Sequence, residues 1–296
     1  MAKLLKRALR KAFGLAGRHG LLNWMPDETF IRIRWRLSHG GKLNLDAPQT
    51  FNEKLQWLKL HDRREEYVPM VDKYEAKKYV QEQLGEKYII PTLGVWERFE
   101  DIDFDALPEK FVLKCTHDSG GLVICRDKAQ LDMAEARRKV GRSLKRNFFY
   151  VGREWPYKQV RPRIIAEEYL ENDASDGLHD YKVWCFGGEP VYVQYISGRL
   201  SRVTQEAFYD ADWVKQDFSF HNPLMQQEAP RPACLPELLD CCRKLAQGIP
   251  FVRIDFYILP DESLRFGEIT FYPMTGFETF KPASADKRLG DMINLK

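Results

Sequence analysis

Paired strand runs in the C-terminal half constrain the fold more than any other feature of this chain. Residues 180–186 (DYKVWCF) and 189–196 (EPVYVQYI) flank Gly187-Gly188. A two-glycine link between such runs is a strong hairpin signal, because tight hairpin turns need backbone at φ > 0. Residues 251–259 and 264–271 repeat the pattern around a short polar turn. Residues 111–115 (FVLKC) and 121–125 (GLVIC) form a third pair, joined by Thr116-His117-Asp118-Ser119-Gly120. Residues 163–170 (RIIAEEYL) read as another strand, and Tyr88-Ile89-Ile90 as a short one before Pro91. Helical structure is expected over 27–60, with a further helical stretch beginning at Asn52-Glu53-Lys54-Leu55, and over 72–84, 132–146 and 236–247, the stretch at 72–84 ended by Gly85. Helices first, then a mixed region, then strands with helices between them predict an α+β or α/β enzyme rather than a bundle or a sandwich.

At 296 residues the chain accommodates one large domain or two joined ones. Hydrophobic residues at 44% suffice for a sizeable core, and no apolar run approaches the roughly 20 residues of a membrane-spanning helix. The 46 basic and 43 acidic residues nearly cancel, so nothing in the net charge of +3 calls for nucleic acid as a partner. The six cysteines form no CxxC pair, and the histidines are scattered. That argues against a zinc or thioredoxin-like site and for reduced thiols in a cytosolic compartment.

The start of the chain is far from neutral. Lys3, Lys6, Arg7, Arg10, Lys11 and Arg18 all precede the first acid, Asp27. Leu5, Ala8, Leu9, Ala12, Phe13 and Ala16 interleave with them, so a helix there would carry a basic and an apolar side. Such a helix over residues 1–20 either lies on an anionic membrane surface or packs its apolar stripe on the protein body.

The candidate chemistry begins in the last hairpin. A turn symmetric about Asp261 and Glu262 puts Asp255 opposite Glu268, and Arg253 opposite Thr270, all on one face. Facing carboxylates repel, and a hard cation such as Mg²⁺ relieves this by binding one or two carboxylates together with substrate phosphates. The alternative is that one carboxylate faces water or pairs with Arg265. Lys114 closes a strand just before the glycine-rich stretch Asp118-Ser119-Gly120-Gly121, an arrangement able to bring backbone N–H groups and a cation to phosphates, or simply a tight hairpin. Glu167, Glu168, Tyr169 and Leu170 end a strand, where they could meet an adenine or a ribose; Lys182 sits in the next one.

Taken in order, FNEKLQWLKL, VDKYEAKKYV, GEKYIIPTLGVW, FVLKCTHDSGG, IIAEEYL, DYKVWCFGGEP, RIDFYI and FGEITFYPMTGFE resemble the ATP-grasp superfamily, and in wording its TupA-like branch of capsule and polysaccharide assembly proteins. The resemblance implies an α+β, ATP-grasp fold: a basic helix at 1–26, a helical and mixed region at 27–108, a lid subdomain at 109–170, and a core with the metal site at 171–296. It implies ATP and Mg²⁺ as cofactors. Lys73 and Lys114 would touch phosphates, and Ser119, Gly120 and Gly121 would cover them as a hinged lid. Glu167, Glu168, Tyr169 and Leu170 would line the adenine and ribose pocket, with Lys182 facing the phosphates. Asp255 and Glu268 would hold the metal, with Thr270 standing where many members carry Asn. Lys114 and Arg253 would neutralise charge during phosphoryl transfer.

The implied reaction joins a carboxylate to an amine through an acyl phosphate. The expected partners are an amine and a carboxylate-bearing sugar or lipid-linked saccharide, such as a uronic acid of a cell-surface polysaccharide. Arg199, Arg202 and Gln194 are the expected acceptor contacts. The expected location is cytoplasmic, with the basic helix on the inner face of the plasma membrane. Rival readings are a glycosyltransferase, for which Asp101-Ile102-Asp103 supplies a DxD match, a kinase that stops at phosphoryl transfer, and a non-catalytic scaffold that uses the fold for binding.

Overall fold

The computed structural model describes residues 2–171, 178–198 and 203–295. Helix α1 (Ala2–Arg18) is followed by α2 (Asp27–Ser38), α3 (Phe51–His61), α4 (Tyr67–Val71) and α5 (Glu75–Leu84). The region expected to be helical over 27–60 holds two helices, the second beginning at Phe51, one residue before the expected further stretch at Asn52. Gly40, at φ 94°, and Pro48 lie in the intervening segment, and Thr50 then restarts the helix through a capping box with Glu53. The helix expected from residue 72 starts at Glu75, because the Asp72 carboxylate accepts from the backbone N–H groups of Tyr74 and Glu75.

Strand β1 (Thr92–Trp96) follows. Residues 86–88 are a 3₁₀ turn, so the strand expected at Tyr88 begins four residues later, after Pro91, which has no N–H to give to a ladder. Then come β2 (Phe111–Cys115), β3 (Val123–Cys125), α6 (Met133–Leu144), α7 (Phe149–Gly152) and β4 (Ile164–Glu168). These strands form an antiparallel sheet ordered β1-β4-β2-β3, so it draws on residues upstream of 109. The second sheet is built from β5 (Asp180–Phe186), β6 (Glu189–Ser197), β7 (Gln205–Asp210) and, after α8 (Leu235–Leu245), β8 (Phe251–Ile258) and β9 (Leu264–Thr270). Its order is β7-β6-β5-β8-β9, all antiparallel. Helix α9 (Ser284–Asp291) completes the chain. The α+β class and the paired hairpins are as the strand pattern predicts.

Each sheet is apolar on one side and carries its charges on the other. In β2, Phe111, Leu113 and Cys115 join the small core beneath α6, with Ala136 and Val140, while Val112 and Lys114 alternate to the opposite side. In β5, Val183 and Cys185 join the core that includes Leu238 and Cys242 of α8. Lys182 and Trp184 share the other face. Trp184 is fully buried among Phe51, Phe208, Phe220 and Phe251, with ring centroids 5.3–5.6 Å away. Each such ring stabilises the fold by roughly 1.5–3 kcal/mol through burial. This aromatic cluster closes one end of the face. Lys182 and the residues paired with it occupy the other end.

Candidate active site

The last hairpin brings its carboxylates together by a different route from the expected one. Ile258 pairs with Leu264, so the turn centres on Asp261 alone. A β-bulge at Gly267 then shifts the register by one residue and restores Asp255 opposite Glu268 and Arg253 opposite Thr270. The four side chains share a face, and Lys182, directly across from Asp255 on β5, joins them. A Cβ on Gly267 would lie 3.1 Å from the Asp255 carbonyl oxygen, which explains the glycine.

Arg253 organises this group. Its Nε donates to Asp255 Oδ1 at 2.7 Å, and its Nη2 donates to Asp255 Oδ2 at 2.7 Å, Glu268 Oε1 at 2.9 Å and Thr270 Oγ1 at 3.2 Å. Lys182 donates to Asp255 and lies 3.4 Å from Asp180. Arg265, the other partner considered for these acids, instead donates to the backbone of Lys87 and Leu264. Burial works against ionisation of Glu268, but Lys73, Arg253 and Lys182 overcome it and hold the carboxyl down to about 2. Burial wins at Asp255, whose pKa is raised despite Arg253 and Lys182.

The four-stranded sheet carries a second buried group. Glu167 takes Lys114 at 2.5 Å and Lys77 at 2.6 Å, and Lys77 also donates to the Ile90 carbonyl and to Thr92 Oγ1. Burial opposes the Glu167 charge, yet the two ammonium groups keep its pKa below the usual carboxylate value. Burial likewise opposes the charge on Lys114, and Glu167 holds its pKa above the usual lysine value. Glu167 therefore anchors two lysines, a role its place at a strand end did not signal. Lys77, one helical turn after Lys73, was missed.

The glycine-rich turn is pinned. Asp118 Oδ1 accepts from the N–H groups of Gly120 and Gly121 at 2.9 and 3.1 Å, and Oδ2 accepts from Ser143 Oγ at 2.5 Å and Arg146 Nη2 at 3.0 Å. Lys73 Nζ donates to the Asp118 carbonyl at 2.6 Å. A Cβ on Gly121 would come within 2.4 Å of Cys115 Sγ, so this glycine answers to a close approach. The expected hinge is in this structure a turn bonded at both ends of one aspartate.

Both sheets and this turn face one cavity of about 730 Å³. Lys73, Lys114, Ser119, Gly121 and Glu167 line it from one side, and Lys182, Asp255 and Glu268 from the other. Glu168, Tyr169 and Leu170 line its outer part, where the Arg126 guanidinium lies 6.0 Å from the Tyr169 ring. Gly120, Arg253 and Thr270 are not in the lining; Arg253 stands behind the carboxylates it bonds, and Thr270 bonds Arg253.

Gln194 is not an acceptor contact. Its amide is buried, receiving the Trp184 indole N–H at 3.1 Å and donating to Glu206 at 2.8 Å. Arg199 and Arg202 lie outside the described residues. The DxD match is a turn device: Asp103 accepts from the N–H groups of Asp105 and Ala106, and neither acid lines the cavity.

The donor set fits Mg²⁺. Asp255 and Glu268 offer hard oxygens on adjacent strands, and Glu268 is held ionised. Among the described residues no group of three or more His, Cys, Asp or Glu is placed to hold a metal alone. A pair completed by phosphates is the arrangement this cation takes in nucleotide sites.

Comparison with solved structures finds several distant likenesses. A D-alanine–D-alanine ligase from Bacillus anthracis, complexed with ATP, is 18% identical at a TM-score of 0.42, over 76% of this chain and 64% of that one. An L-amino acid ligase from Bacillus licheniformis is 14% identical at a TM-score of 0.45, over 86% and 57%. N5-carboxyaminoimidazole synthetase from Staphylococcus aureus is 15% identical at a TM-score of 0.37, over 68% and 44%. The chain thus spans less than two thirds of the length of each. No curated protein sequence matches it. The model of the TupA-like ATP-grasp family, however, matches residues 53–294, which include both sheets and every side chain placed around the cavity above, and the chain belongs to that family.

Proposed function

We propose that this protein is a Mg²⁺- and ATP-dependent ligase that joins a carboxylate to an amine, with a uronic acid or a peptide-like group of a cell-surface polysaccharide as the carboxylate substrate. The observation that carries the reading is the single cavity with Lys114 and the pinned glycine turn on one wall and the Asp255–Glu268 pair on the other. A nucleotide triphosphate presents anionic oxygens to the first and shares a cation with the second. Asp255 and Glu268 would hold Mg²⁺, which supplies charge neutralisation on the phosphates when bound.

A carboxylate is a poor acylating agent, and transfer of a phosphoryl group to it creates a leaving group that an amine displaces. That transfer needs in-line positioning and charge compensation more than covalent help from the protein. Lys114, Lys73 and Lys182 would hold the phosphates. Arg253, bonded to both carboxylates, fixes the acids in place. Tyr169 and Leu170 would cover the base at the outer part of the cavity, and the walls would keep water from the acyl phosphate.

The test is release of ADP and phosphate from Mg²⁺-ATP by the full chain, screened over uronic acids and amino acids. Turnover should require one member of each class, and Glu268→Gln should remove it while leaving the thermal unfolding transition in place. ADP without free phosphate would instead indicate a phosphotransferase. Consumption of a nucleotide sugar without ATP would overturn the reading.

A further inference from the structure

Helix α1 lies outside the cavity and outside the residues that the family model matches. At 100° per residue, Leu5, Ala8, Leu9, Ala12 and Leu15 fall within one half of its circumference. Lys6, Arg7, Arg10, Lys11 and Arg18 fall within the other. An apolar half of this kind usually packs on the protein body, and here most of it does not. Contact runs along the border between the halves, where the Phe13 ring lies 5.0 Å from the Phe30 ring and Gly17 packs against that same ring. Leu5 is 62% exposed, Leu9 51% and Leu15 46%, and Leu21 and Trp24 beyond the helix end are exposed at 67% and 77%.

We infer that α1 docks on an anionic phospholipid bilayer, lying in the plane of the interface with its leucines at the acyl boundary and its cations among the headgroups. The inference rests on the helix alone and stands apart from the ligase reading. Its 17 residues would reach roughly 26 Å along their axis, and five of them are the cations named above. Among the described residues no helix is long and apolar enough to cross a membrane, so α1 lies on the surface. Charge selects the occupant. No acid precedes Asp27, so a second copy seated on this helix would bring like charges together, whereas anionic headgroups neutralise them. Exposed leucines in the apolar half give a nucleic acid nothing to bind but give a bilayer its hydrophobic contact. Trp24, an amphipathic ring, suits the headgroup level.

The experiment is cosedimentation of the full chain with phosphatidylcholine vesicles, either alone or with about 30% phosphatidylglycerol, at moderate salt. Binding should appear on the anionic vesicles and be weak on the neutral ones. Arg7→Gln with Lys11→Gln should lower the partition coefficient roughly 30-fold, at about fivefold per basic residue. Leu5→Asn with Leu9→Asn should lower it at least about tenfold. These side chains are exposed, so the unfolding transition should not move. Equal binding to both vesicle types, or none to either, overturns the inference. So does a concentration-dependent dimer, formed without lipid and lost in the leucine variant, because it would assign the face to a second copy.

Discussion

The two walls of the cavity solve the same physical problem with opposite stoichiometry. On the four-stranded sheet one acid, Glu167, holds two bases, Lys77 and Lys114. On the five-stranded sheet one base, Arg253, holds two acids, Asp255 and Glu268. A buried charge is tolerated when it is paired and hydrogen-bonded, and both groups meet that condition. What each presents to the cavity differs, however: one wall offers Lys114 beside its acid, and the other offers the Asp255–Glu268 pair. Under the proposed function the first is matched by phosphate and the second by a divalent cation, so the cavity is divided into the two halves of a metal nucleotide.

The largest test of this contrast is Glu167→Gln. It leaves two lysines on a buried wall with no counter-charge, and unfolding free energy should fall by about 3–5 kcal/mol, measured by urea denaturation. Saturating Mg²⁺-ATP should recover part of that loss if phosphates replace the carboxylate. A variant as stable as the parent would show that the wall is wetter than its geometry indicates. Next in size is Lys114→Met. Glu167 keeps Lys77, so stability should change little, while the dissociation constant for ATP should rise roughly 10- to 100-fold, as for the loss of a hydrogen bond between charged groups. An unchanged ATP affinity would mean that Lys114 does not serve phosphate.

Acid titration probes the other wall. Glu268, held down to about 2, contributes stability that is present above its ordinary carboxylate pKa and disappears as pH falls from 4.5 toward 2. About a third of the side chain is open to the cavity, so solvent screening limits the effect to roughly 1 kcal/mol. Asp255, shifted upward by burial, acts in the opposite sense over the same acid range, so the comparison must be with Glu268→Gln. The stability difference between the metal-free parent and that variant should narrow as pH drops through this window. A gap independent of pH would remove ionised Glu268 from the account.

How much of this was legible in the sequence follows from how local each interaction is. Alternation in FVLKC and FVRIDFYI placed Lys114, Arg253 and Asp255 on their faces, because a strand's period of two is fixed by the backbone. Gly187-Gly188 announced its hairpin for the same kind of reason. What failed was long-range or register-dependent. Glu167 reads as a strand-end contact for an adenine or a ribose, because its partners, Lys77 and Lys114, come from a distant helix and a neighbouring strand. Gln194 looked available because nothing local shows that Trp184 and Glu206 occupy its amide. The glycine-rich turn suggested mobility, and only the structure reveals Ser143 and Arg146 holding Asp118 from another helix and the segment after it.

The smallest expected effect bears on how the acid-rich wall brings its two carboxylates opposite each other. The facing of Asp255 and Glu268 depends on the bulge at Gly267, whereas β2 and β4 pair without a register shift. In Gly267→Ala the new methyl would lie 3.1 Å from a backbone oxygen, that of Asp255, which cannot rotate away as a side-chain tip would. The bulge must open slightly, at a cost of about 1 kcal/mol in stability, the low end for one added methyl group. Glu268 is the next residue, so the same movement should separate the two carboxylates and raise the Mg²⁺ concentration needed for half-maximal turnover, by roughly threefold. Alanine at Gly121, crowded against Cys115 and Ser143 on the other wall, should disturb stability without changing the Mg²⁺ requirement. If the two alanine variants shift that requirement equally, the metal does not belong to the acid-rich wall.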